Sequence, residues 1–330
     1  MRCLPWDKNK EITEAEAMVS DTIHEWYDAK HRTVSVKEIE LINSREVLNC
    51  PKCGSVEFIK YGKDRNGIQR YRCSECQSLF TKLTNTIFDS RKIPITEWIE
   101  YLIHLFEFHS VSTSSRDNRN ALSTGRYWLI KVFEVLKDYQ KDIVLSNTIY
   151  LDETYFSVMP KDIVRGADGK KLSGISRNKL GVAVAFDEDG KFLLICTNTS
   201  KPSDKSTWKA LGSHIKEGST LIHDGERSHG ILIRKLNLKS VVYRTDNTRT
   251  MEDKDNPLDP INKIHALAKR FMKSHGGYDR GNLQDWMNLI CFVLSRPENR
   301  YEKIVKFIEM ALDSPARVKY RDVMSKKYFK

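Results

Sequence analysis

No apolar run in this 330-residue sequence approaches the ~20 residues needed to cross a bilayer, and the N-terminus lacks the apolar stretch of a secretory signal. A membrane-spanning or exported chain is set aside on that ground, and a soluble protein of the cytoplasm is the expectation. Internal repeats and low-complexity segments are also missing, which removes solenoids and compositionally biased tails. Acidic residues are in deficit. The 55 Lys and Arg against 44 Asp and Glu give a formal charge of +11, which favours a polyanionic partner. Disulfides are not what the seven cysteines indicate: Cys3, Cys196 and Cys291 are scattered, and the last two sit inside apolar runs where they read as core thiols.

The other four cysteines are spaced for metal. Cys50-Pro51-Lys52-Cys53 is followed, nineteen residues later, by Cys73-Ser74-Glu75-Cys76. Four thiolates in two such pairs form a closed tetrahedral Zn²⁺ site, structural because no ligand position is left for water. The stretch between them reads as a hairpin around Asn66-Gly67. Residues 50–95 carry Lys52, Lys60, Lys63, Arg65, Arg70, Arg72, Lys82, Arg91 and Lys92 against Glu57, Asp64, Glu75 and Asp89, and the tail from Arg317 to Lys330 holds six bases and one acid among Tyr320, Tyr328 and Phe329. Basic residues interleaved with aromatics suit phosphate contacts and base stacking, so double-stranded DNA is the leading partner, with Arg70 and Arg72 as candidate contacts.

Residues 1–45 read as helical, with capping-box patterns at Thr13/Glu16 and Ser35/Glu38, and Met18, Val19, Ile23, Trp26 and Tyr27 on one face. After the ribbon (46–95), residues 96–145 predict three helices, Thr96 to His109, Thr113 to Asn120 and Ser123 to Tyr139, the last capped by Ser123. Their order outlines a helix-turn-helix with Arg126 and Tyr127 near the start of the reading helix, although a plain helical linker fits the pattern as well. From residue 146 strands are predicted at 147–157, 179–187, 191–197, 219–224 and 239–244, the second and third joined by an Asp187-Glu188-Asp189-Gly190 turn. Helices fall at 203–215 and 228–236. After a proline-bearing loop, Met251 to Pro260, come a helix ending at Gly276-Gly277 and two more near 282–294 and 301–312, offering Leu283, Trp286, Leu289 and Ile290 to the sheet. Residues 313–330 form the basic tail.

Two β-rich apolar runs end in aspartate. Strand side chains alternate faces, so Thr148, Tyr150 and Asp152 share one side, as do Thr220, Ile222 and Asp224. Alone, either aspartate reads as a turn residue; together they read as a divalent-metal site for phosphoryl transfer. Glu153 and His223 then face the opposite way. Meander, helix, strand, helix, strand and helix is the order of a ribonuclease-H-like α/β fold, a mixed five-stranded sheet flanked by helices.

In succession, CPKCGS, YRCSECQSLFTKLTNTIFDSRKIPITEWI, IYLDETYF, RGADGKK, GISRNKLGVAVAFDEDG, LIHDGERSH and INKIHALAKRF resemble bacterial insertion-sequence transposases of the family catalogued as insertion sequence fifteen-ninety-five, from Cys50 to about Phe292. The resemblance implies DDE-type chemistry: two Mg²⁺ or Mn²⁺ ions, DNA strand cleavage at the element's ends, then transfer of the freed 3′-hydroxyl by a homo-oligomer. It implies Asp152 and Asp224 as the acidic ligands and His265 where the pattern has glutamate, with Glu252 or Asp259 as substitutes. Lys269, one turn along, reads either as a phosphate contact or as a solvated lysine, and Arg165, Lys170 and Lys171 lie in a loop that reads equally as a DNA contact or a solvated turn. A metal-dead DNA-binding descendant and a nuclease that cuts without joining are the alternatives.

Overall fold

The computed structural model describes residues 13–15, 17–19, 34–91, 93–197, 200–244, 251–252, 255–275 and 280–327. Glu16, Ile23, Trp26, Tyr27, the Gly276-Gly277 helix end and residues 328–330 of the tail, all named above, lie outside these residues, as do Cys3 and Lys92.

Helix α1 (Val36–Ser44) starts where the cap pattern predicts, with the Ser35 hydroxyl accepting from Glu38 N at 3.1 Å. Glu38 does not return the bond that a capping box requires. Its buried carboxylate accepts instead from Arg91 Nη2 at 2.5 Å and from Thr96 N at 3.0 Å, so it caps the next helix. The other end of α1 grips the ribbon: Asn43 donates to Gly67 O at 3.0 Å and accepts from Gln69 N at 2.9 Å. The ribbon is a three-stranded antiparallel sheet of β1 (Phe58–Lys63), β2 (Gln69–Cys73) and β3 (Leu79–Phe80). Its hairpin turns where expected, held by Asp64 Oδ1 accepting from Asn66 N and Ile68 N at 2.8 and 3.0 Å.

Three helices follow, α2 (Thr96–Phe106), α3 (Val111–Asp117) and α4 (Leu122–Leu136). Two helix starts differ from expectation. Ser110 caps α3 by accepting from Thr113 N at 3.1 Å, which moves the start ahead of Thr113, and the N-cap of α4 is Ala121, leaving Ser123 inside the first turn. Helices α3 and α4 touch so closely that a Cβ on Gly125 would fall 1.8 Å from Ser115 Oγ. Most of α4 is buried. Its Lys131 ammonium donates to Ile87 O and lies 4.5 Å from the Tyr127 ring, and burial holds its pKa down at about 8. Tyr127 is engaged by the C-terminal segment, donating to Val318 O at 2.7 Å and meeting Tyr320 edge-on, whereas Arg126 is exposed.

The second sheet contains β4 (Thr148–Ser157), β5 (Lys179–Asp187), β6 (Phe192–Cys196), β7 (Thr220–His223) and β8 (Lys239–Val242) in the order β6-β5-β4-β7-β8. Pairs β4/β5 and β5/β6 are antiparallel; β4/β7 and β7/β8 are parallel. This is the ribonuclease-H-like arrangement. At the β5–β6 hairpin, buried Asp187 accepts from Asp189 N and Lys191 N through Oδ1 and from Ser146 N through Oδ2. One face packs Ile149, Leu151 and Leu221 against α5 (Asp204–Leu211) and α6 (Gly230–Lys235). The other packs Phe156, Val182 and Val184 against α7 (Asp259–Ser274) and α8 (Leu283–Leu294), and α9 (Arg300–Asp313) continues the same core against α2, Phe307 meeting Phe106. Leu283, Trp286, Leu289 and Ile290 of α8 are all buried there, and Cys291 is a core thiol while Cys196 is half-buried. The same apolar core runs without a break from Ile42 through α2 and α4 to Val323.

Glu38→Ala strands the Arg91 guanidinium and the first amide of α2, so it should lower the unfolding free energy by about 3 kcal/mol. A shift in the denaturant midpoint at unchanged slope is the readout; a midpoint equal to wild type would contradict this role.

Candidate metal centres

In the ribbon, the four cysteine sulfurs all lie within 4.8 Å of one another, with Cys50–Cys76 at 3.7 Å and Cys53–Cys73 at 3.5 Å. A tetrahedral Zn²⁺ with bonds near 2.3 Å needs sulfur–sulfur edges of about 3.8 Å, so the donor set fits. Behind it Phe58, Tyr71 and Phe80 form a small aromatic core, the rings of Tyr71 and Phe80 stacked at 5.6 Å. Alternate residues of β2 bring Arg70 and Arg72 over the exposed Tyr61 ring at 5.9 and 5.6 Å, a basic-aromatic face of the kind the sequence predicts.

In the second sheet, the parallel register pairs Tyr150 with Ile222 and Leu151 with His223, so the next residues stand side by side, Asp224 just past the end of β7 and Asp152 still within β4, which runs on to Ser157. Gly225, at φ +90°, turns the chain at once; a Cβ there would sit 2.9 Å from Val242 Cγ1. Asp224 Oδ1 accepts from Glu226 N at 2.8 Å and Asp152 Oδ1 from Glu153 N at 2.7 Å, which orients both carboxylates. Burial, and then the charge of Asp224, push the Asp152 pKa up to about 7. His265 is brought to the same place by α7, its Nδ1 3.9 Å from Asp152 Oδ2. Burial and then Lys269 hold its pKa near 4, so at neutral pH the ring is uncharged and the contact is not an ion pair. His265 Nε2 is buried with no hydrogen-bond partner among the described residues. Two convergent carboxylates and a neutral imidazole make a donor set that fits a hard or borderline divalent cation. Asp259, a substitute for His265 in the sequence reading, is paired with Lys263 at 2.5 Å, and Glu252 is exposed.

Lys269 is exposed one turn beyond His265. Arg165, Lys170 and Lys171 are exposed in a small hairpin, Gly166 N donating to Lys170 O at 2.9 Å, in the connection that leaves the Asp152 strand.

Strand alternation turns Glu153 and His223 away from the aspartates, where they meet partners that the sequence alone does not announce. Glu153 Oε1 lies 3.0 Å from His229 Nε2, His229 Nδ1 lies 3.0 Å from His223 Nδ1, and His223 Nε2 lies 3.0 Å from Ser240 Oγ. Gly225 N also donates to His223 Nδ1 at 3.2 Å, which makes that nitrogen an acceptor. His229 must then donate from Nδ1 as well as to the carboxylate, and the pattern assigns it as an imidazolium. Burial opposes that charge, yet the Glu153 hydrogen bond and the charges of Glu153, Asp224 and Asp152 raise the His229 pKa overall. His223 goes the other way, held near 4 by burial and then by His229. Although His223, Asp224 and His229 lie close enough together to hold an ion, the imidazole nitrogens are committed to this chain of hydrogen bonds. The available signal was a second histidine six residues after the first in LIHDGERSH, brought back behind the strand by the 3-10 turn Arg227–His229.

Residues 47–77 match the model of the InsA N-terminal domain, a zinc ribbon. No curated protein matches the chain. Among solved structures, the chain is similar to the Mos1 transposase catalytic domain solved with raltegravir and Mn, at 11% identity and TM-score 0.27, covering 67% of this chain and 96% of that one. It is also similar to the mariner Mos1 paired end complex with Mg, at 14% identity and TM-score 0.27, covering 70% and 79% respectively. At these scores the likeness assigns no residue a role. No helix among the described residues is long and apolar enough to cross a membrane.

Two outcomes follow from this geometry. Metal analysis of the protein purified without chelator should find zinc, and its removal should unfold the ribbon locally, since structural Zn²⁺ contributes on the order of 10 kcal/mol to such modules. Loss of ellipticity confined to the aromatic cluster is the sign; protein free of zinc that keeps its ribbon would contradict it. Asp152 titrates above the ordinary carboxyl value, so the stability that its protonated form confers is fully present below about 3.8 and is lost progressively as pH rises through about 7. In buffer free of Mg²⁺ and Mn²⁺, Asp152→Asn should therefore melt above wild type at pH 8, with the gap narrowing toward pH 5. Equal melting temperatures at pH 8 would overturn that account.

Proposed function

We propose that this chain is a DNA transposase of the DDE type with histidine in the third position, cleaving strands at the ends of its own element and joining them to target DNA. The observation that carries the reading is the pairing of Asp152 and Asp224 on adjacent parallel strands, with the neutral His265 ring 3.9 Å from Asp152. A pair of Mg²⁺ or Mn²⁺ ions, when bound, supplies Lewis acidity at phosphorus and lowers the pKa of the attacking hydroxyl.

The chain's own residues do the rest. Asp152 and Asp224 would hold the ions, each oriented by a backbone amide, and His265, kept unprotonated by burial, would offer a ring nitrogen as a neutral ligand. In the first step water attacks phosphorus and the P–O3′ bond breaks, leaving a 3′-hydroxyl; in the second that hydroxyl displaces a 3′-oxygen in the target strand. Lys269 sits one helical turn from His265, where an ammonium meets the scissile phosphate's neighbour. Arg70 and Arg72 of the ribbon, Arg126 of α4, the 165–171 hairpin and the basic tail hold DNA through its phosphates, which fixes position without reading sequence. We read residues 46–95 and 96–145 as the end-binding part, 146–312 as the catalytic part, and the active species as a homo-oligomer in the cytoplasm.

The test is a nicking and joining assay with Mn²⁺ on a plasmid carrying the inverted repeats that flank the coding sequence. Asp152→Asn and Asp224→Asn should each reduce cleavage by at least about a hundredfold while DNA affinity stays within a few-fold of wild type. Cleavage at a normal rate by either variant would refute the site, and cleavage without joined products would make the chain a nuclease.

A further inference from the structure

A second set of ligand-type side chains meets at the corner between α2 and α3, away from both centres above. His104 lies in the last turn of α2, Asp117 in the last turn of α3, and His109 in the link between them. The link is held in one shape. Phe108 takes φ +68°, a left-handed conformation that a non-glycine residue rarely adopts, and His109 N then donates back to His104 O at 3.0 Å. The Phe108 ring stands edge-on to Phe271 of α7 at 5.0 Å. The two imidazoles face each other at 5.0 Å with planes tilted by 51°, and His104 Nδ1 is 3.5 Å from Asp117 Oδ2. Arg116 lies 3.7 Å from the other oxygen, Oδ1, and leaves Oδ2 to the histidines. Asp117 cannot drift, because its neighbour Asn118 is fully buried and donates to Glu97 O at 2.9 Å and Glu100 Oε2 at 2.8 Å.

We propose that His104, His109 and Asp117 bind one divalent transition metal of the zinc class, clamping α2 to α3. One donor atom from each lies within 4.8 Å of the other two. Bonds of about 2.0–2.2 Å place tetrahedral donors about 3.4 Å apart, which His104 and Asp117 already meet; the exposed His109 ring closes the remainder by rotating about its side-chain torsions. Two imidazoles with one carboxylate favour Zn²⁺, Co²⁺ or Ni²⁺ over the hard cations suited to Asp152 and Asp224, and the absence of thiolate sets this centre apart from the ribbon. Three protein ligands leave a fourth position open to water. The inference is independent of the proposed catalytic activity.

The experiment uses the full chain with zinc in its ribbon and with Asp152→Asn and Asp224→Asn silencing the acidic site, titrated with Co²⁺. One equivalent should bind with weak visible d–d absorption and no sulfur-to-cobalt charge transfer, and Zn²⁺ should compete it away. His109→Ala and Asp117→Asn should each weaken that binding at least about tenfold. His109 is exposed, so His109→Ala should melt as its parent does without added metal, which separates loss of a ligand from loss of fold. Co²⁺ binding that ignores both substitutions, that appears only with thiolate bands, or that is absent beyond the ribbon would overturn the proposal.

Discussion

The parallel ladder between β4 and β7 is the contact on which the rest of this molecule turns. It is short, running from Thr148–Thr220 to Leu151–His223, and its register decides which way two carboxylates point. A slip of one residue would send Asp224 to the opposite face, into the apolar layer of Leu232 and Leu238. Parallel neighbours need a crossover and cover on both faces; α5 supplies the crossover, and α6 and α7 lie on opposite sides. Layered architecture here is a condition for the site as much as for stability.

The sheet also separates charge. On one side Asp152 and Asp224 crowd each other, and Asp152 retains its proton to about neutrality. On the other side Glu153 and the His229 imidazolium form a neutral pair sealed from water. Backbone alternation alone puts these opposite arrangements on consecutive residues, so a single strand carries both a site short of positive charge and one where it is already met. His223 joins the two sides, since its backbone lies in the ladder and its ring accepts from the turn that follows Asp224.

Much of this was legible in the sequence because it rests on local periodicity. The paired cysteines marked the ribbon, the alternation in IYLDETYF marked the central strand, and the helix carrying His265 was expected after the proline-bearing loop, where Asp259–Ser274 stands. What escaped depends on partners distant in sequence. Glu38 follows the capping-box spacing but answers to Arg91, fifty-three residues away, because a buried carboxylate takes the strongest donor in reach. Ser123 has the chemistry of a cap and loses the position to Ala121, since tight α3–α4 packing fixes where the helix begins. His229 has no strand or helix period to announce it; only the fold brings it beneath Glu153.

Helix α1 also sets a mechanical property. One end holds the ribbon hairpin through Asn43, the middle holds Arg91 and α2 through Glu38, and just beyond it Arg45 reaches Glu309 at 2.5 Å while Lys82 reaches Asp313 at 2.8 Å, both acids on α9. Each surface ion pair is worth little alone, but together with the apolar core that reaches Ile42 and Ile68 they tie the ribbon side of the molecule to α2 and α9 at several points.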